Sequence, residues 1–154
     1  VHSDANYTIR VKGDRHHLES TMDLVQFAAM EFGVEESQAD IIASAVGEAC
    51  QNAVHYSFRE PDQVVFDLEI RLGEQEVTAI VTNRGPAFEF DAISPFRRDH
   101  DFMLYETGGM GIPMMKKLMD DATYERRPDD VNVVILKKRI QRNTSGEGEE
   151  YYED

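Results

Sequence analysis

The chain has one cysteine, few basic residues beside its acidic ones, and no long apolar run. With Cys50 alone, neither an intramolecular disulfide nor a cysteine-based zinc site can form, which fits a reducing cytoplasm. Its neighbours read as an apolar helix, so Cys50 is expected to be a buried structural thiol rather than a nucleophile. Sixteen Lys and Arg against 30 Asp and Glu leave a net charge of −14. That balance argues against a nucleic-acid binder, because a phosphate backbone demands a basic face. No stretch approaches the roughly 20 apolar residues of a membrane-spanning helix. Residues 1–10 are polar and strand-like, without the apolar stretch of a secretory signal. The expectation is a cytoplasmic protein with no membrane contact.

What is present fits one domain. At 154 residues the chain is long enough to bury a core. Residues 6–12 alternate, with Tyr7, Ile9 and Val11 on one side, and predict a strand. Residues 15–32 carry Leu18, Met22, Val25 and Ala29 on one helical face, and Gly33 stops that helix. A second helix opens at Glu36-Ser37, where Ser37 and Asp40 resemble a capping box. It carries a broad apolar stripe from Ile41 to Val54. Residues 63–72 and 76–82 predict two strands joined at Gly73-Glu74, the second more apolar and therefore central. Residues 83–111 lose regular pattern, as a functional lid or a disordered connection does. A short helix at 112–120 and strands at 122–125 and 131–139 follow. The order β-α-α-β-β-lid-α-β-β predicts an α+β two-layer sandwich: a mixed, mostly antiparallel sheet with helices on one face. The domain is expected over residues 1–140. Residues 141–154 hold five carboxylates against one arginine and read as an acidic flexible tail.

Three constellations carry chemistry. On the second helix Glu48, Asn52 and His55 recur at i, i+4 and i+7, which places them along one face. A carboxylate and a carboxamide one turn apart suit a Mg²⁺ ion, which takes few protein ligands and keeps several waters. The glutamate can instead accept a proton from an attacking hydroxyl. Taken alone, the pair fits a solvated polar face at least as well. Thr107-Gly108-Gly109-Met110-Gly111 runs straight into an apolar helix. There a phosphate can approach bare backbone and a helix start, or the glycines can serve as a hinge. Asn83-Arg84-Gly85-Pro86-Ala87-Phe88 ends an apolar strand, where a base edge could be read or a turn simply closed.

In this order and spacing the three segments resemble the GHKL ATPase superfamily. Within it the chain is similar to the anti-sigma-factor serine/threonine kinases of bacterial partner-switching systems. The segments that carry the likeness are Gly-Glu-Ala-Cys-Gln-Asn-Ala at 47–53, Val-Thr-Asn-Arg-Gly at 81–85, the glycine-to-helix stretch at 108–120, and the closing strand at 131–138. The resemblance spans residues 6–140. It implies a Bergerat-type ATP-binding fold, with ATP and Mg²⁺ as cofactors. It implies Glu48 as general base on a protein serine and Asn52 as the Mg²⁺ ligand. Asn83, Gly85, Ala87, Thr107, Gly108, Gly109, Met110 and Gly111 would line the nucleotide site, with a lid over residues 94–108. It also implies a homodimer that sequesters a sigma factor and phosphorylates a STAS-domain antagonist. Three positions depart from the pattern. Asn83 stands where the family usually has Asp, so the contact to the adenine amino group lacks charge assistance. Val131 stands where the closing segment usually has Gly, and Tyr56 where the family has a His, with His55 one place earlier. A relative with weak nucleotide binding, or a non-catalytic binding module of the same fold, is therefore the competing expectation.

Overall fold

The computed structural model describes residues 4–91 and 111–141. Its elements are β1 (Ala5–Lys12), α1 (Arg15–Glu31), α2 (Glu36–His55), a 3₁₀ turn (Pro61–Gln63), β2 (Val65–Leu72), β3 (Glu76–Arg84), α3 (Gly111–Leu118), β4 (Asp121–Arg127) and β5 (Val131–Arg139). The five strands form one sheet in the order β1-β2-β3-β5-β4. Every pairing is antiparallel, so the sheet is not mixed among the described residues. β3 is central, as its apolar composition predicts.

Alternation decides which face is covered. In β2, Phe66, Leu68, Ile70 and Leu72 are buried, while Val65, Asp67, Glu69 and Arg71 face outward. The same period in β3 buries Val77, Ala79, Val81 and Asn83. The three helices lie on this buried side. α2 is the central one and packs on α1, α3 and the sheet. That is why Ala39, Ile42, Ala45, Val46, Ala49 and Cys50 are all buried around much of its circumference. The other face of β1 and β2 is polar, with Arg10 paired across the strands to Asp67 at 3.1 Å, while Val133 of β5 is buried on that face.

Turn and cap chemistry explains the boundaries. Asp14 caps α1 by accepting the His17 backbone N–H at 3.3 Å, and its other oxygen lies 2.6 Å from His17 Nδ1. His16 and His17 thus form a polar helix start. The capping box expected at Ser37 is absent: Glu35 is the N-cap residue and makes no side-chain cap bond. The helix begins one residue ahead of Ser37, and the Asp40 carboxylate instead accepts from Gln26 of α1. Between β4 and β5, Asp129 and Asp130 adopt left-handed conformations, with φ of 67° and 61°. Aspartate is among the few side chains that tolerate this. The lid expected over residues 94–108 and the tail beyond Gln141 lie outside the described residues.

Candidate functional site

α2 places Glu48 and Asn52 one turn apart on the side that receives the start of α3. A Cβ built on Gly111 would lie 2.9 Å from Glu48 Oε2, so the α3 start runs directly against that carboxylate. Glu48 is half-buried, and desolvation pushes its carboxyl pKa above the ordinary glutamate value. Asn52 is only 6% exposed, and its Nδ2 has no hydrogen-bond partner among the described residues. A buried carboxamide nitrogen without a partner is costly unless a ligand satisfies it. His55, the third residue of the series, is exposed and rests edge-on against Tyr56, with centroids 4.7 Å apart. It is not drawn into the site.

The other end of the site forms where β3 stops. Asn83 is buried, and its Nδ2 donates to the carbonyls of Ala53 at 3.0 Å and Tyr56 at 2.9 Å. Both amide hydrogens are therefore spent on the end of α2, which leaves Oδ1 as the atom to offer a ligand. Two residues on, the Gly85 backbone passes so near the Tyr56 carbonyl that any Cβ would collide with it. Ala87 is exposed at the rim, while Phe88 is buried and stacks on Tyr56 with centroids 4.5 Å apart. Phe88 also meets Tyr124 at 4.5 Å, and Lys116 Nζ donates to the Phe90 carbonyl at 2.8 Å. From Glu48 to Tyr56 the helix rises about 12 Å, so the two ends lie about one extended nucleotide apart.

Of the expected site residues, the fold brings Gly111 against Glu48, with Asn52 one turn further along α2, and sets Asn83 and Gly85 against the end of that helix; Ala87 is exposed. Thr107, Gly108, Gly109 and Met110 fall outside the described residues. Sequence reasoning missed Asn132 and Arg126, which hold the Gly85 turn from the β4–β5 hairpin. Asn132 was findable, as a carboxamide interrupting the apolar run of the last strand. Arg126 carried no signal. A cleft of about 760 Å³ opens beside the end of β3 around Arg10, Arg59 and Arg84; Asn83 is part of its lining, but it touches neither Glu48 nor Asn52. Among the described residues no cluster of three or more His, Cys, Asp or Glu could hold a metal ion.

The model of the histidine kinase-like ATPase domain matches residues 11–138, which takes in every described element except part of β1 and the end of β5. The chain belongs to this family. As a histidine kinase-like ATPase domain it has curated relatives named serine-protein kinase RsbW. It is 26% identical over 125 residues to that of Bacillus subtilis (strain 168), covering 76% of this chain and 78% of the relative. To that of Staphylococcus aureus it is 26% identical over 107 residues, covering 64% and 67%. Two solved structures share the fold. The SiaB-SiaC complex from Pseudomonas aeruginosa matches with a TM-score of 0.61 at 15% identity, over 87% of this chain and 89% of that one. The RsbU and RsbW domains of a Mycobacterium tuberculosis protein match with 0.63 at 16%, over 90% of this chain and 33% of that one. Membership of this ATPase family implies ATP use. Among the described residues no helix is long and apolar enough to cross a membrane.

Proposed function

We propose that this chain is an ATP-dependent protein-serine kinase of the RsbW kind, acting on a STAS-domain antagonist and sequestering a sigma factor. The observation that carries this reading is the pairing of Glu48 and Asn52 beneath the start of α3: a carboxylate made more basic by burial beside a carboxamide with an unsatisfied nitrogen. ATP supplies the phosphoryl group that is transferred. Asn52 would hold Mg²⁺ through its carboxamide oxygen, and the ion, when bound, would neutralise charge on the phosphates. Glu48 takes the proton from the attacking serine hydroxyl. A carboxylate whose pKa is raised toward the working pH is the better acceptor for that proton. The backbone of Thr107, Gly108, Gly109, Met110 and Gly111 supports the phosphates. Asn83 Oδ1 accepts from the exocyclic amino group of adenine, with Gly85 and Ala87 beside the base. The protein works as a cytoplasmic homodimer and does not bind nucleic acid.

One observation favours a second reading. Asn83 offers a neutral carbonyl where a carboxylate would give a charge-assisted bond, and its amide is committed to structure. On that reading the chain is a binding module of the same fold with weak nucleotide affinity. Incubation with ATP, Mg²⁺ and a cognate STAS-domain protein decides between them. The kinase reading expects phosphate on a serine of that protein, lost in Glu48→Ala. No transfer by the wild type, or transfer undiminished in Glu48→Ala, defeats it. Titration with ADP and Mg²⁺ then tells a weak binder from a strong one.

A further inference from the structure

We propose that the β4–β5 hairpin sets the conformation of the Gly85-Pro86 turn, with Arg126 and Asn132 as positioning residues for the nucleotide base. The inference rests on the nucleotide-binding reading above and deepens it by naming what positions the base end of that site. The peptide groups of the turn are held one by one. The Gly85 N–H donates to the Asp130 carbonyl at 3.0 Å, and the Gly85 carbonyl accepts from Arg126 Nη1 at 2.6 Å. The next carbonyl, of Pro86, accepts from Asn132 Nδ2 at 3.0 Å. Three consecutive backbone groups beside the candidate base site thus depend on one hairpin.

The hairpin is itself fixed. Arg126 Nη1 also donates to Asn132 Oδ1 at 2.9 Å, and Arg126 Nη2 pairs with Asp130 at 2.7 Å. The Tyr124 hydroxyl donates to the same Asn132 oxygen at 2.6 Å, and its ring lies against Phe88. Asn132 is wholly buried. Its neighbour across the β3–β5 ladder is Asn83, whose amide clamps the opposite wall, the end of α2. The two carboxamides grip the two sides between which Gly85 runs. A planar guanidinium meets three acceptors here at once, which a lysine ammonium cannot do in the same geometry. The left-handed turn at Asp129 and Asp130 is what brings the Asp130 carbonyl to Gly85.

Arg126→Ala and Arg126→Lys test the role. With Arg126→Ala, the dissociation constant for ADP is expected to rise about tenfold, the scale of losing a charge-assisted contact that orders the turn. Affinity for inorganic tripolyphosphate, which has no base, stays within about twofold, as does kcat at saturating ATP, while KM for ATP rises. Arg126→Lys is intermediate, and millimolar guanidinium restores ADP binding to Arg126→Ala. ADP affinity unchanged, or ADP and tripolyphosphate weakened alike, overturns the positioning role. Amide exchange at Gly85, read without ligand, tests the clamp itself. It should quicken at least tenfold in Arg126→Ala while α2 and β3 amides keep their protection. Unchanged exchange at Gly85 refutes the clamp. Failure of the wild type to bind either ligand while Gly85 exchange quickens overturns the nucleotide reading, and the role at the base with it, but not the clamp.

Discussion

Glu48→Gln should make the protein more stable and less active at once, and the two effects share one cause. Burial against the start of α3 raises the Glu48 pKa above its reference value of 4.5. A carboxyl whose folded pKa exceeds its unfolded one favours folding most when protonated. That contribution is complete below the unfolded pKa and is lost as pH rises through the folded one. At pH 7.5 the ionised wild-type side chain therefore carries a partly desolvated charge. Glutamine is close in volume and carries no charge, so it removes that penalty without opening a cavity. The gain is expected to be about 1 kcal/mol, the usual scale for relieving a strained functional site. For a domain of this size that is a rise in Tm of about 2–4 °C. Phosphoryl transfer should fall by about 10²–10⁴, the ordinary contribution of a general base. Thermal melts of both proteins from pH 4 to pH 8, beside transfer assays at pH 7.5, measure the pair of effects. The Tm advantage should shrink steadily as pH falls toward 4. A variant less stable than wild type at pH 7.5, or an advantage undiminished at pH 4, refutes the desolvation argument. Transfer within threefold of wild type refutes the base.

Three other perturbations follow from the same geometry. Gly85→Ala drives a methyl group into the Tyr56 carbonyl, so stability should drop by about 2–3 kcal/mol, seen in urea melts, with ADP binding lost in parallel. Asn83→Asp places a carboxylate against the Ala53 and Tyr56 carbonyls in place of two donors. It should cost about 2 kcal/mol at pH 8 and less at pH 5, where the acid can protonate; equal loss at both pH values would contradict this. Cys50 is buried, and its thiol pKa is pushed up to about 12, so it should resist iodoacetamide in the native protein and react only at the unfolding rate. Rapid labelling under native conditions would show that α2 opens locally.

Much of the fold was legible because its strands alternate strictly and its helices are amphipathic over several turns. Element order, the central place of β3 and the burial of Cys50 all follow from those periods. Helix starts were harder. Ser37 has the right neighbours for a capping box, but a residue already inside the first turn cannot cap it, and Asp40 found a partner on α1 instead. The site was half legible. Glu48 and Asn52 lie on one helix, where spacing alone places them on one face. The hold on the Gly85 turn was not, because Arg126 and Asn132 meet it across 41 and 46 residues of chain. Such contacts exist only once register is chosen.

Register is also where fold and site become one decision. On the covered face of β3 the series runs Val77, Ala79, Val81, Asn83, and opposite it on β5 runs Leu136, Val134, Asn132. Each strand keeps its period of two but changes from aliphatic to carboxamide at the same end. A slip of one residue would turn Asn83 and Asn132 away from the helices and bring Thr82 and Val133 toward them. It would leave the carbonyls of Ala53, Tyr56 and Pro86 without donors, besides exposing the aliphatic row. The apolar residues and the carboxamides therefore select the same register for different reasons, one through area buried and the other through buried groups that must be paired. Where the aliphatic series ends, the core ends, and the two carboxamides make the polar wall at which a ligand can begin.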